Sequence, residues 1–238
     1  MKQNPSDAAF PVTRWSIVAR LDRGDQSRDV ALEELCGAYR APLYAYARRS
    51  GRSVADSEDL VQGFLSKALE DDLFAKAEED KGKLRTFLLT TFRRYENDQK
   101  RREFAQKRSG GKIVSMEAAG LEEWYVSEGA AAHSPETIYD RRWAVTLLAN
   151  SVATLALDWD KKGRGADFQH LRPYLTGGSD AAAYSKLGIK LGITPENVKV
   201  RVHRLRAQFG MVLRDEVTKT LFEQEDVEEE LRYLVSLL

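Results

Sequence analysis

The sequence has very little of the chemistry on which enzymes and secreted proteins depend. It contains one cysteine, Cys36, so no disulfide can form within the chain, and a reducing compartment is expected. Its three histidines, His133, His170 and His203, are scattered and lack the spacing of metal ligands. No Walker phosphate loop, GxSxG serine motif or HExxH zinc motif occurs. The sequence therefore predicts a protein that is not an enzyme and that holds no cofactor or metal.

Long hydrophobic runs are also missing. A membrane-spanning helix needs about 20 mostly apolar residues, and the first ten residues lack the apolar core of a signal peptide. We therefore expect a cytoplasmic protein without a membrane span. The 238 residues, 42% hydrophobic and 31% charged, are typical of a globular chain with one or two domains.

An excess of charge of one sign is missing from the whole chain but not from its parts. Overall, 37 acidic and 37 basic residues cancel. Residues 93–112 have eight cations and three acids, whereas 56–80 have nine acids and two cations, and 215–230 have eight acids and one cation. Such segregation predicts separate surfaces for partners of opposite charge.

Residues 183–209 contain two short helical patterns that meet at a turn. Gly192 suits the left-handed conformation that ends a helix. Thr194 can cap the next helix, and Pro195 fits its first position. Gly188 falls where two crossing helices would come close. This pattern predicts a helix-turn-helix.

The second helix of this pair has a polar face suited to DNA. Asparagine and arginine can bind base edges in the major groove, and flanking cations can neutralise phosphates. The candidate residues are Glu196, Asn197, Lys199, Val200, Arg201, His203 and Arg204. The alternative is an ordinary amphipathic helix with a solvated basic face.

Two helices are predicted in the first half of the chain, one acidic and one basic. The helix at 54–70, opened by Ser53, has an acidic side that is either solvated or docks a basic protein. The helix at 83–106 loses its apolar stripe after Tyr95 and then carries cations among aromatic rings, which suits single-stranded nucleic acid. Tyr95 fits a core position equally well.

Together these stretches resemble bacterial sigma-70-type factors. Residues 56–65 resemble the polymerase-docking helix of region 2, and 83–102 resemble the helix that recognises and melts the minus-ten promoter element. Residues 183–209 resemble the region 4 helix-turn-helix that binds the minus-thirty-five element. Two such regions alone are typical of the extracytoplasmic-function group. The resemblance covers residues 10–108 and 137–215.

The resemblance implies an all-α fold with two helical domains joined by a flexible linker. The implied segments are a region 2-like domain at 1–108, a linker at 109–133, a region 4-like domain at 134–222 and an acidic, amphipathic C-terminal helix at 223–238. The linker is either a plain tether or a segment that threads the polymerase RNA-exit path. For the C-terminal helix, the hypothesis is that it shields the basic recognition helix.

The resemblance also implies partners and contact residues. Core RNA polymerase would bind through its beta-prime clamp helices and beta flap, promoter DNA would be the second partner, and an anti-sigma factor is a further partner class. The clamp-helix contacts would be Asp56, Glu58, Asp59, Gln62 and Phe64. The minus-ten contacts would be Arg85, Arg93, Arg94, Tyr95, Asn97, Arg101 and Arg102. The seven candidates between Glu196 and Arg204 would contact the minus-thirty-five element.

Some features depart from the family, and other functions stay open. Gly63 stands where the docking motif usually has an acid, and residues 158–180 are longer and richer in glycine than the compact family form. The second function in view is a stand-alone helix-turn-helix transcriptional regulator, and the third is a protein-only adaptor. Two helix boundaries are also predicted: a short helix opens the chain at 13–21, and Pro42 breaks or restarts a helix.

Overall fold

The regular elements of the chain are helices. The computed structural model describes residues 26–71, 73, 83–106, 116–127, 132–176, 181–221 and 226–238. Within these ranges it has nine α-helices, one 3-10 turn at Arg172–Tyr174 and no strand. The helices are α1 (Gln26–Arg49), α2 (Val54–Glu70), α3 (Leu84–Gln106), α4 (Met116–Ser127), α5 (Pro135–Lys161), α6 (Gly165–Leu171), α7 (Ala181–Leu191), α8 (Pro195–Thr218) and α9 (Val227–Ser236). The prediction of an all-α fold is confirmed for this part of the chain.

Two compact units divide the chain. The first contains the described residues up to Thr146 together with Thr218–Leu238, and the second is Leu147–Val217. The boundaries fall inside α5 and at the end of α8. These bounds differ from the predicted domain bounds, and the predicted domains stay a prediction. Among the described helices, none combines the length and the hydropathy that crossing a bilayer requires.

Aromatic side chains fill the core of the first unit. Phe92 of α3 meets Phe64 of α2 edge to face, with ring centroids 5.1 Å apart, and meets Tyr46 of α1 in the same way at 6.0 Å. Tyr39 of α1 stacks on Trp143 of α5 with centroids 4.7 Å apart. Such pairs add about 0.5–1.5 kcal/mol each to the burial of the rings. The three helices α1, α2 and α3 are thereby held as one body.

Helix α1 continues through Pro42, so the prediction that this proline breaks or restarts the helix is wrong. The residues around it, including Tyr39, Leu43 and Tyr44, are almost fully buried. Their packing therefore outweighs the backbone hydrogen bond that proline removes, a loss of roughly 3 kcal/mol. The predicted helix at 13–21 lies outside the described residues.

Helix α4 lies inside the segment predicted as a linker. Glu122 accepts hydrogen bonds from Arg48 Nε and Nη2, both 2.7 Å long, and from the Tyr44 hydroxyl at 2.9 Å. The guanidinium of Arg142 lies 4.5 Å from the ring centroid of Trp124. Residues 116–127 are therefore a docked helix rather than the single ordered turn expected within the linker.

The second unit has its own apolar core. Its buried residues are Leu155, Trp159, Phe168, Leu171, Leu187, Val198, Val202 and Leu205. They come from α5, α6, α7 and α8. The indole nitrogen of Trp159 donates to the Gln208 side-chain oxygen at 3.0 Å, so the largest ring of this core is also fixed in orientation.

Candidate protein-binding and nucleic-acid-binding surfaces

The first turn of α2 uses two of its predicted contact residues for structural purposes. The backbone N–H of Asp56 donates to Ser53 Oγ at 3.1 Å, and that hydroxyl donates to Asp56 Oδ2 at 2.7 Å. Glu58 pairs with Arg40 of α1 at 3.3 Å. Ser53 therefore caps the helix as predicted, and Asp56 and Glu58 help to hold its start.

The outer side of α2 carries an acidic face, defined here as the exposed residues Asp59, Gln62 and Glu70. Phe64 does not belong to it, because this side chain is only 3% exposed and packs on Phe92. Of the five predicted polymerase contacts, Asp59 and Gln62 are thus the two that are fully exposed.

Gly63, the departure from the family motif, has a structural reason. A Cβ atom at this position would lie 2.7 Å from the hydroxyl oxygen of Tyr95. The glycine therefore lets the half-buried Tyr95 of α3 approach α2, where its ring lies 5.7 Å from that of Phe64. No local pattern in the sequence could have paired two residues on different helices.

Helix α3 carries a basic face, defined here as the exposed residues Arg94, Asn97, Arg101 and Arg102. These side chains recur every three or four residues, so they share one side of the helix. Arg93 is exposed as well but pairs with Glu136 of α5 at 3.4 Å. Four of the seven predicted minus-ten contacts therefore form a continuous exposed surface.

A buried carboxylate beneath this face was missed by sequence reasoning. Glu96 Oε1 lies 3.1 Å from Arg52 Nε and 2.9 Å from Lys100 Nζ, and the Glu96 side chain is almost fully buried. Because removing one partner of a buried ion pair leaves an unpaired charge, this contact anchors α3 firmly. Only the lone acid among cations in the sequence hinted at it.

Arg85, predicted to contact DNA, is buried in a charged cluster at the start of α3 and is not part of the basic face. It is 7% exposed and pairs with Glu230 of α9, and its Nε lies 3.3 Å from Asp140 of α5. Lys83 Nζ binds the same glutamate at 2.7 Å. We call Lys83, Arg85, Asp140 and Glu230 the charged cluster.

Tyr233 of α9 closes this cluster. Its hydroxyl donates to Asp140 Oδ2 at 2.6 Å, and the guanidinium of Arg85 lies 5.4 Å from its ring centroid. Burial, followed by the hydrogen bond to Asp140, raises the pKa of Tyr233 to about 12. These contacts of α9 are with α3 and α5 of the first unit, whereas the sequence-based hypothesis had given the acidic tail to the recognition helix.

The turn between α7 and α8 has the predicted geometry. Gly192 has a φ of +64°, and the N–H of Ile193 donates to the carbonyl of Gly188 at 3.0 Å. Thr194 Oγ1 accepts from the N–H of Asn197 at 3.3 Å. A Cβ atom on Gly188 would lie 2.7 Å from the carbonyl oxygen of Ile193, so only glycine fits this close approach.

Helix α8 presents a recognition face beyond this turn. Its exposed members are Glu196, Asn197, Lys199, Val200, His203 and Arg204. The seventh predicted contact, Arg201, is half-buried and pairs with Asp167 of α6 at 3.1 Å. The apolar positions Val198, Val202 and Leu205 lie in the core, so the recognition face points away from it.

The second unit also has an open groove of about 520 Å³ near α7. Tyr174, Leu187 and Ile189 supply apolar lining, and Lys186 and Lys190 supply charge. Ile189 is 84% exposed, which is unusual for a large apolar side chain.

Comparison of the chain with known protein families, with curated proteins and with solved structures finds no match. Its function is therefore inferred from its own residues. They present three surfaces: the acidic face of α2, the basic face of α3 and the recognition face of α8. Each lies on the exposed side of a helix whose opposite side is in a core.

Proposed function

We propose that this chain is a sigma factor of the extracytoplasmic-function type. It binds core RNA polymerase through the acidic face of α2, holds melted minus-ten DNA on the basic face of α3 and reads the minus-thirty-five element with α8. In this proposal the two units act as separate domains, one region 2-like and one region 4-like. The protein performs no chemistry itself and lends the polymerase its promoter specificity.

The observation that carries the proposal is the close pairing of an acidic and a basic surface in the first unit. Helices α2 and α3 are joined through Phe64, Phe92 and Tyr95, yet their outer sides have opposite charge. An acidic face suits a basic protein partner, and a cationic face suits phosphates. A stand-alone transcriptional regulator needs DNA contacts alone, so a second, oppositely charged face favours a protein that joins an enzyme to DNA.

The recognition face of α8 supports the DNA-reading part of the proposal. Asn197 and Arg204 are exposed and are the residue types that bind adenine and guanine edges in the major groove. The groove near α7, with Ile189 in its lining, is a surface on which the beta flap of polymerase could dock.

Partner contacts of the predicted residues sort them by role. Arg201 and Arg93 already have carboxylate partners, so contact with DNA would require them to give up an ion pair. Asp59 and Gln62 are accordingly proposed as the main polymerase contacts. The main DNA contacts are proposed to be Arg94, Asn97, Arg101, Asn197 and Arg204.

Association with core RNA polymerase tests the proposal. Purified chain is mixed with bacterial core polymerase, and complex formation is measured by size-exclusion chromatography, followed by transcription from a template carrying a matching promoter. Asp59→Lys reverses one charge on the acidic face, and we expect it to weaken the complex by about tenfold or more. Glu123→Lys makes the same charge change on an exposed site of α4, in the same unit, and is expected to bind normally.

Two results would reject the proposal. A wild-type chain that forms no complex with core polymerase, yet binds duplex DNA with strong salt dependence, would be a stand-alone regulator. Equal affinities for the Asp59→Lys and Glu123→Lys variants would remove the acidic face from the interface.

A further inference from the structure

Glu230 is the centre of a charge arrangement that resembles the binding of an anion. Its carboxylate is almost fully buried, and both of its oxygens face cations: Oε2 lies 2.7 Å from Lys83 Nζ, and Oε1 pairs with Arg85 Nη1. Arg85 Nη2 lies 3.5 Å from Oε2. A fork of arginine donors with an adjacent lysine is a common way to bind a carboxylate or a phosphate.

Without Glu230 the charged cluster would not be neutral. Lys83 and Arg85 would then face Asp140 alone, and the cluster would have a net positive charge. It would also lie at the first turn of α3, where backbone N–H groups add a positive potential. The basic face of α3 begins further along the same helix, so an extended anion bound there would have this cluster in its path.

Helix α9 is held on the first unit by few buried groups. It has ten residues, of which only Glu230 and Leu234 are buried. Val235 and Leu238 remain largely exposed. A short helix with so few buried contacts belongs to the less stable part of a fold and can open without unfolding the rest.

We propose that α9 occupies, through Glu230, a phosphate-binding site formed by Lys83 and Arg85, and that nucleic acid must displace it. The inference rests on the proposed function, since it extends the DNA surface of α3 towards its first turn. In the free chain the carboxylate stands where a phosphodiester of single-stranded DNA would bind. The helix therefore lowers the affinity of the free protein for DNA until a partner or a promoter removes it.

Two charge-matched variants test this competition. Glu230→Gln removes the buried carboxylate, and Glu229→Gln removes the same charge from an exposed neighbour on the same helix. Binding of a fluorescent single-stranded DNA oligonucleotide is measured by anisotropy over a range of salt concentrations. We expect Glu230→Gln to bind about tenfold more tightly, since two cations become free for phosphate. Its salt slope should be steeper by roughly 0.7 for each phosphate gained. Adding Lys83→Gln should reverse part of the gain.

If Glu230→Gln and Glu229→Gln bind the oligonucleotide equally, the competition is refuted. Hydrogen exchange on the unmodified chain gives a second test that does not depend on the folding of a variant. Saturating oligonucleotide should speed amide exchange in residues 227–236, and unchanged or slower exchange there would overturn the proposal. Displacement of α9 in a chain that does not bind polymerase would remove the proposed function alone. Polymerase binding with no effect of Glu230→Gln would remove this inference alone.

Discussion

Helices α3 and α8 carry arginines where the sequence predicts contact with nucleic acid, but the two helices use them differently. On α3, Arg85 is buried between Glu230 and Asp140. On α8, Arg201 pairs with Asp167, and the two side chains remain 34% and 33% exposed. A buried ion pair is costly to break, whereas an exposed pair contributes about 0–1 kcal/mol. The residue type alone therefore does not tell whether an arginine holds the fold or is free to bind a partner.

The largest expected effect separates Arg85 from the basic face of its own helix. Arg85→Met leaves Glu230 with Lys83 as its remaining cation in a buried site and should lower the free energy of unfolding by about 3–5 kcal/mol. Arg94→Met, at an exposed position of α3, should change it by about 0.5 kcal/mol or less. Urea denaturation followed by circular dichroism measures both. Similar losses for the two variants would contradict the distinction.

The next effect compares the glycines that permit close approach in the two units. Gly188→Ala would press a Cβ atom against a backbone carbonyl and should cost about 1–3 kcal/mol. Gly63→Ala would meet the end of the Tyr95 side chain, which can move, and should cost less. In a Tyr95→Phe background the Gly63→Ala change should become stabilising by about 0.5–1 kcal/mol, through helix propensity. Thermal unfolding of the four variants checks this order, and an equal cost at both glycines would speak against it.

A smaller effect depends on pH and concerns α4. Hydrogen bonds from Arg48 and then from Tyr44 hold the pKa of Glu122 below its ordinary value of 4.5. A carboxyl with a lowered folded pKa stabilises the protein above its unfolded pKa, and this stability is lost as the pH falls through the folded value. Glu122→Gln should therefore cost about 1–2 kcal/mol at neutral pH and progressively less below about pH 4.5. Glu123→Gln, exposed on the same helix, should show no such dependence in unfolding experiments at each pH.

The smallest stability effect is expected on α8. Arg201→Met should cost about 1 kcal/mol or less, because its ion pair is partly exposed. Arg204→Met should leave stability unchanged but weaken binding to duplex promoter DNA more than Arg201→Met does. Measured by unfolding and by anisotropy, the reverse order of DNA affinities would place the reading surface on the other side of the helix.

Local signals in the sequence predicted the helix starts and the turn correctly. Ser53 before α2 and the Gly192–Thr194 turn before α8 act within a few residues, so their effects can be read directly. The exposed recognition face follows from the same periodicity, since the apolar positions of α8 decide which side faces outward.

Long-range partners could not be predicted in this way. Arg85 and Glu230 are 145 positions apart, and nothing near either residue indicates the other. The docking of α4 depends on Arg48 and Tyr44, 74 and 78 positions before Glu122. Pro42 was misjudged for the same reason, because packing from other helices outweighs its local effect.

The two buried tryptophans give each unit an optical probe of its own. Trp143 is stacked on Tyr39 in the first unit, and Trp159 is hydrogen-bonded to Gln208 in the second. Emission from an indole shifts when water reaches it, so variants that keep only one of these rings would follow the melting of one unit at a time. The chain can thus be examined for independent or concerted unfolding without an attached dye.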